Sequence, residues 1–373
     1  MKLLIIGNAD SIWIKNYIEH VLLGQGYNIY VTLRRKSSFL EFYNLNKVNV
    51  IGMKRIIPLI NRIPYAQAAI NFIYIYLRLY RERFNVIHIH YMGLDNIALF
   101  KLLKRNAEIS VGSFHGSDLY RASERCHRKT EKSFNYLDYI TLSTKRMHKK
   151  FFQVYTNNYD SKIRKTLFGI SGFNDISLLT ETVTKTDCKK LFNINDSKTV
   201  ISIGYNATRA QQHEKVLKSL ISVSKEIWKD VCFVLPMTYG NEDNDYIKSI
   251  RALLDKLGCE YQLITNFLSD IDIAKLRIAT DIFIHAQTTD AFAASVQEYL
   301  YSGAIVINPK WILYEELCDL GIEYIEYSEF DELPGIIEQL LDSELKICES
   351  NREKLESLTS WASVKDNWLA LYR

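Results

Sequence analysis

Apolar residues in this chain fall into short, nearly unbroken runs of four to seven positions, at 3–6, 27–33, 86–90, 109–114, 137–143, 199–204, 231–235, 261–264, 281–285 and 304–308. Runs that carry no strict polar alternation read as strands buried on both faces, the mark of a parallel sheet. Between them lie segments of helical length: 12–23 (closed by Gly24 and Gly26), 66–83, a basic helix capped by Ser143 or Thr144, 205–228, 270–279, 314–317 and 360–372. Another helix opens at Ala293-Ala294-Ser295 and is closed by Gly303. Strand and helix alternate, so the pattern predicts doubly wound α/β domains. The polar stretch 171–197, rich in Thr, Asn and Asp, marks a boundary, and 373 residues suffice for two cores.

Composition narrows the class. Hydrophobic content of 47% with 24% charged residues is that of a globular chain. The net charge of +4 is small and its cations are dispersed, so no nucleic-acid partner is expected. No G-x-G-x-x-G follows the first strand, which argues against a dinucleotide cofactor. Six cysteines without C-x-x-C spacing fit a reduced, cytoplasmic protein with no cysteine-built zinc site. The opening apolar run is too short for a signal peptide, and the longest apolar region, 66–77, falls short of the ~20 residues that span a bilayer. Cations interleave with aromatic and aliphatic residues at Arg34-Arg35-Lys36, at 54–65 and in the following helix. That mixture suits either an anionic membrane surface or a helix packed on the sheet with a solvated basic face.

Candidate chemistry gathers where strands end. In the loop after the first strand, Asn8, Asp10, Ser11 and Trp13 face the ligand side of a doubly wound sheet; Asp10 and Ser11 equally suit a helix cap. His115-Gly116-Ser117-Asp118 also follows a strand; the glycine lets backbone approach a ligand, the imidazole can share a proton near neutral pH, and Asp118 can orient it or cap a helix. His88 and His90 share one strand face and read as core or crevice lining. At 289–303, a strand, a loop with Asp290 and a helix start make an anion site, because free N–H groups and the helix dipole point outward together. Glu298 follows Asp290 by eight positions, inside that helix.

The 289–303 stretch resembles the E-x7-E segment of retaining glycosyltransferases with the GT-B fold, especially glycosyltransferase family 4. Asp290, Phe292, Glu298, Gly303 and Val306 fall on the matching places. Asp replaces the first Glu, Ala291 and Ala293 replace glycines, Gln297 an apolar residue and Ile305 a proline. The resemblance implies that Glu298 holds the ribose of a nucleotide sugar and that Asp290 sits beside the transferred sugar. His115-Gly116-Ser117-Asp118 is similar to the family's His-Gly-x-Asp, where the histidine approaches that sugar. Together these imply catalytic roles for His115, Asp290 and Asp118. A diphosphate leaving group needs cations, and the family's Arg and Lys correspond to Arg209 and Lys215, with His213 as a substitute; Arg209 stands five places after Gly204 rather than one. Gly240, Phe267, Leu268, Ala293, Ala294 and Ser295 complete the implied donor site, and Asn8, Asp10, Ser11 and Trp13 the acceptor side.

What the resemblance implies as a whole is an α/β GT-B protein: two Rossmann-like domains facing a crevice, 1–170 for the acceptor and 171–358 for the nucleotide sugar, with a terminal helix 359–373 crossing back. The expected reaction is hexosyltransferase-like transfer from a nucleotide sugar, a UDP-sugar among the candidates, to a carbohydrate hydroxyl, with retention and without metal or cofactor. The expected acceptor is a polyprenyl-diphosphate-linked glycan of bacterial surface polysaccharide synthesis (lipopolysaccharide or capsule), and the expected place the cytoplasm, peripheral on the inner face of the membrane. A nucleotide-sugar 2-epimerase of the same fold, or a catalytically silent nucleotide-sugar-binding protein, are the alternatives.

Overall fold

Apolar runs of the first half lie in a seven-stranded, wholly parallel sheet: β1 (Lys2–Ile6), β2 (Asn28–Thr32), β3 (Asn49–Ile51), β4 (Phe84–His90), β5 (Ala107–Ser113), β6 (Tyr139–Leu142) and β7 (Ile163–Lys165), in the order β3-β2-β1-β4-β5-β6-β7. Those of the second half form a parallel sheet of six: β8 (Thr199–Ile203), β9 (Val231–Pro236), β10 (Glu260–Ile264), β11 (Ile282–Ile284), β12 (Ile305–Pro309) and β13 (Ile325–Tyr327), in the order β10-β9-β8-β11-β12-β13. Both orders run outward in two directions from the first strand, the doubly wound arrangement in which ligands bind beyond the carboxyl ends of the strands. This computed structural model describes every residue except 35, 54–64, 157, 241–242 and 344–349, so most of the basic-aromatic segment at 54–65 lies outside the described residues.

The chain divides into two units, Met1–Gly169 with Trp361–Arg373, and Ile170–Ser360. Central strands are sealed on both faces, as their sequences require: Leu3 to Ile6, and Ile282 to Ile284, expose nothing. At the amino ends of these strands, polar side chains take up N–H groups that the ladders leave over. Asn85 Oδ1 accepts from Lys2 N at 2.8 Å, Asp138 Oδ2 from Ser110 N at 2.8 Å, and Asp281 Oδ2 from Val200 N at 2.8 Å.

Several elements differ from the sequence pattern. β3 and β13 are three-residue strands too short to stand out as apolar runs. β7, also three residues long, ends at Lys165 and matches no apolar run. The polar stretch 171–197 contains two helices, Gly172–Thr182 and Lys185–Leu191, the second opened by a capping box in which the side chains of Thr184 and Asp187 each accept from the other's backbone N–H. Thr and Asn there cap and solvate helices rather than forming a linker. The long helix expected at 205–228 is broken: Gln212 sits at φ 54° between a 3₁₀ turn, Arg209–Gln211, and the helix His213–Leu220.

Within the first unit, the helix Trp361–Leu369 and the turn Ala370–Tyr372 complete the core. Trp368 Nε1 donates to the Leu167 carbonyl at 2.7 Å, and Gly169 admits the Trp361 indole, which an added Cβ would meet at 2.3 Å. The Tyr372 hydroxyl meets both Tyr17 Oη and His88 Nδ1, while His88 Nε2 reaches Ser113 Oγ at 2.6 Å and Thr141 Oγ1 donates to Ser113 at 2.7 Å. His88 is therefore a link in a buried polar chain. Tyr372→Phe removes the central hydroxyl and leaves Tyr17 and His88 short of partners, which costs about 1–3 kcal/mol. We expect denaturant unfolding to show that loss; an unchanged midpoint would show that the chain adds nothing to stability.

Candidate active site

Carboxyl ends of β8, β9 and β11 bring together the loops that carry most of the implied donor residues. β8 turns at Gly204, φ 65°, where an added Cβ would lie 2.5 Å from His213 Nε2, so only glycine fits. The 205–213 segment is then stitched to the loop after β11. Gln211 Nε2 donates to Gln287 Oε1 at 3.0 Å, Gln212 Nε2 to the Ala286 carbonyl at 2.7 Å, and Thr288 N to the Ala210 carbonyl at 2.9 Å. Gln287 Nε2 reaches Tyr205 Oη at 3.3 Å, and Tyr205 donates to Asp290 Oδ2 at 3.2 Å. The amides of Ala291 and Phe292 also turn toward Asp290.

Asp290 is largely enclosed, its side chain 11% exposed, and the partial burial raises its carboxyl pKa above the usual range, though His285, Tyr205 and the two amides oppose that rise. His285 lies 3.8 Å away through Nε2 and is fully buried. The Asn308 amide group donates to the Ile312 carbonyl at 2.7 Å, which leaves its oxygen to accept from His285 Nδ1 at 2.8 Å. The neutral ring thus turns a bare Nε2 toward the carboxyl group. Burial lowers His285 while it raises Asp290, so the two can share a single proton.

A second acid stands on the helix Ala294–Ser302. Glu298 Oε2 accepts from Arg277 Nε at 3.1 Å, and Arg277 Nη2 donates to Ser295 Oγ at 3.2 Å. Arg277 ends the helix Asp270–Ala279, is 5% exposed, and lies 4.2 Å over the Tyr299 ring. Nothing in the sequence singled it out; an arginine in the last turn of a helix reads as a dipole partner. On the β9 loop Tyr239 is 55% exposed, and its hydroxyl accepts from Asn206 Nδ2 at 3.3 Å.

Other expected donor residues sit as follows. Arg209 is exposed and donates to Asp243 Oδ2 at 2.8 Å, beside the Tyr246 ring. Lys215 donates to Gln212 Oε1 at 2.7 Å and lies over Phe330. His213 is no cation: burial pushes it down to about 4, and its Nδ1 meets Tyr246 Oη at 3.1 Å. Gly240, φ 67°, lets the chain pass Thr208, whose Cγ2 an added Cβ would meet at 2.7 Å. Phe267 is 85% exposed, whereas Leu268 packs toward Phe192 and Ile194. Ala293 is the extended residue before the helix and belongs to the core, with Ala294 packed against it.

In the first unit, Asp118 does not cap a helix with its carboxylate. Its Oδ2 accepts from Met92 N at 2.7 Å and its Oδ1 from His115 N at 2.9 Å and Gly116 N at 3.0 Å, so it orients the backbone around His115. Burial raises it to about 6 even so. The His115 ring packs beside Phe168 and His90, its Nε2 buried without a partner, and burial pushes it down to about 4. Neither Asp10 nor Ser11 caps the first helix through its side chain; Asp10 Oδ1 instead accepts from Ser38 N and Oγ at 2.8 and 2.9 Å. Asn8 Oδ1 accepts from Arg34 N at 3.4 Å, and Trp13, 38% exposed, meets Phe168 edge-on. Among the described residues, no three His, Cys, Asp or Glu side chains come together as a metal site.

No family model and no curated protein matches the chain. Solved structures match along its full length. The Anabaena protein HepE, crystallised with UDP and glucose, is 13% identical over 99% of this chain and 98% of its own, with a TM-score of 0.72. A glycosyltransferase from Rickettsia africae is 16% identical over 100% and 97%, with a TM-score of 0.74. Sucrose-phosphate synthase from Thermosynechococcus elongatus is 14% identical over 100% and 98%, also with a TM-score of 0.74. The fold is GT-B. In this GT-B chain the two acids that the sequence pattern singled out lie in the same unit, one on the loop after β11 and one on the helix that follows.

Buried histidines give stability a defined pH dependence. His88, His115 and His213 have folded values near 3, 4 and 4 against about 6.5 unfolded, so their contribution is complete above about 6.5 and is lost as pH falls toward 4. Asp118, raised from 3.8 to about 6, acts in the opposite sense over that window. Three groups outweigh one. We expect the unfolding free energy to fall by at least ~2 kcal/mol from pH 7 to pH 5, and His213→Asn to flatten the slope. A profile that is flat or rises on acidification would contradict this assignment.

Proposed function

We propose that the protein is a glycosyltransferase that takes its sugar from a nucleotide sugar, with a UDP-sugar as the first candidate, and passes it to a hydroxyl of a carbohydrate acceptor. Two acids carry this reading: Asp290 in the loop that leads to the helix Ala294–Ser302, held by Tyr205, and Glu298 inside that helix, held by the Arg277 that also bonds Ser295 near its start. HepE, which shares the fold, has been crystallised with UDP and with UDP-glucose. In the reaction, the bond from the anomeric carbon to the diphosphate oxygen breaks and its electron pair leaves with the diphosphate. The acceptor hydroxyl forms the new bond and passes its proton to an oxygen of the departing diphosphate. Negative charge growing on the diphosphate is met by helix N–H groups and cations, with no metal needed. Arg209 can swing to that charge cheaply, because its contact with Asp243 is a solvent-exposed ion pair. Asp290, held by Tyr205, faces the sugar, and the reaction proceeds with retention.

The acceptor is a lipid-linked glycan, and the enzyme works on an anionic membrane surface from the cytoplasm. Support comes from the helix Ala66–Leu79, which turns Asn71, Ile75 and Leu79 inward and leaves Ile70, Ile73, Tyr74 and Leu77 exposed. Tyr80, Arg78, Arg81 and Arg83 are exposed alongside. Apolar side chains beside arginines match an acyl boundary under anionic headgroups. No helix among the described residues is long and apolar enough to cross a membrane.

UDP should raise the thermal midpoint of the wild type by mass action. Glu298→Ala should weaken UDP binding at least tenfold, whereas Asp290→Asn should keep UDP binding and lose transfer to acceptor by ~100-fold or more. Full transfer by Glu298→Ala would remove the assigned site, and turnover without acceptor would indicate an epimerase. Ile73→Glu with Leu77→Glu should abolish cosedimentation with phosphatidylglycerol vesicles; a wild type that ignores such vesicles would refute the membrane reading.

A further inference from the structure

Arg277 has no obvious reason to be charged. Its guanidinium is buried, and an arginine–glutamate pair in a protein interior is often no more stabilising than apolar residues of the same volume. What distinguishes it is the pair of groups it serves. One is Glu298; the other is Ser295, at the second position of the helix Ala294–Ser302. Arginine only donates hydrogen bonds. Ser295 Oγ must therefore accept from Nη2, and its own O–H is left to donate elsewhere, at the end of the helix where N–H groups favour an anion. Glu298 is confined on its other side as well: an atom added at Gly172 would meet Oε1 at 2.6 Å and Cδ at 3.0 Å, so a glycine makes room for the carboxylate.

We infer that Arg277 is a positioning residue of the donor site, which holds the Glu298 carboxylate in one place and turns the Ser295 hydroxyl into a hydrogen-bond donor for the diphosphate of the bound nucleotide. This rests on the nucleotide-sugar reading above. Arg277 touches no substrate itself. Its stacking over Tyr299 at 4.2 Å fixes the plane of the guanidinium, and with it the two donor directions. Lysine keeps the charge but offers no planar fork for two acceptors, which makes Arg277→Lys the discriminating variant.

The test is a cycle of wild type, Arg277→Lys, Ser295→Ala and the double variant, with affinities for UDP and for uridine from ligand-observed NMR and thermal midpoints taken alongside. Ser295→Ala should lower the UDP-to-uridine affinity ratio about tenfold. Arg277→Lys should lower it similarly, and the double variant should fall no further than the stronger single one, because both remove the same hydroxyl donor. An Arg277→Lys protein with a lower thermal midpoint and an unchanged ratio would make the arginine structural only and overturn the inference. Should that variant not fold, Ser295→Ala decides alone: an unchanged ratio sinks the proposal. A wild type that binds UDP no better than uridine would instead defeat the donor-site reading itself.

Discussion

One largely enclosed ion pair, Arg277 with Glu298, organises one face of the second unit. Removing a carboxylate and a guanidinium from solvent costs several kcal/mol for each ion, and only good geometry recovers it. Arg277 and Glu298 meet at 3.1 Å, Ser295 takes a second donor, and Tyr299 lies under the guanidinium. Two helices, Asp270–Ala279 and Ala294–Ser302, are thereby locked in mutual register. Because the second of these begins at the end of the β11 loop, the lock also places Asp290 relative to Glu298. Loss of either partner would leave the other charge stranded, so the arrangement cannot relax gradually; it is present or it fails.

A related device recurs in both units. Asp118 and Asp290 each sit in a loop beyond the carboxyl edge of a parallel sheet, and each gathers backbone N–H groups that the sheet does not satisfy. In both, burial raises the carboxyl pKa more than the amides lower it. A loop that must pass close to a ligand cannot bury its amides in regular structure. An acid turned inward closes such a loop on itself and leaves neighbouring groups free to face outward: His115 beside Asp118, and the helix start beside Asp290. The histidines near these acids are kept neutral by the same burial, so around neutral pH they do not bind anions by charge.

Most strands were legible because central parallel strands are written in nearly uninterrupted apolar residues: ten runs, such as 281–285 around β11, fall on observed strands. β3 and β13 were not, since a three-residue edge strand buries too little to need an apolar run. The 171–197 stretch, read as a boundary, hid its two helices for a different reason. Its threonines and asparagines act as caps and outward faces of two helices, and composition cannot distinguish a capped polar helix from a linker. At the site, Asp290 and Glu298 stood out through their spacing. Tyr205, Gln287, His285 and Arg277 did not. Apart from His285, which meets Asp290 five places on, they act across distances in sequence of 18 to 85 residues, as in the contacts Arg277–Ser295 and Tyr205–Asp290, and nothing local in the chain encodes such a meeting.

Charge is divided among the cations of this face according to how freely each can move. Arg209 and Lys215 are solvent-exposed, bonded to single partners and laid over aromatic rings, and detaching them costs little. Such residues suit a group that arrives, changes charge and departs, because they can follow it. Arg277 is the opposite case: enclosed, doubly bonded and stacked, it cannot reach out and acts only through the geometry of what it holds. A helix start has the same fixity, since its N–H groups are set by the backbone. Fixed donors lose no reorganisation energy when charge develops, whereas mobile ones let product escape. On the proposed donor-site reading, a leaving diphosphate needs both, and one enclosed and two exposed cations would meet that need.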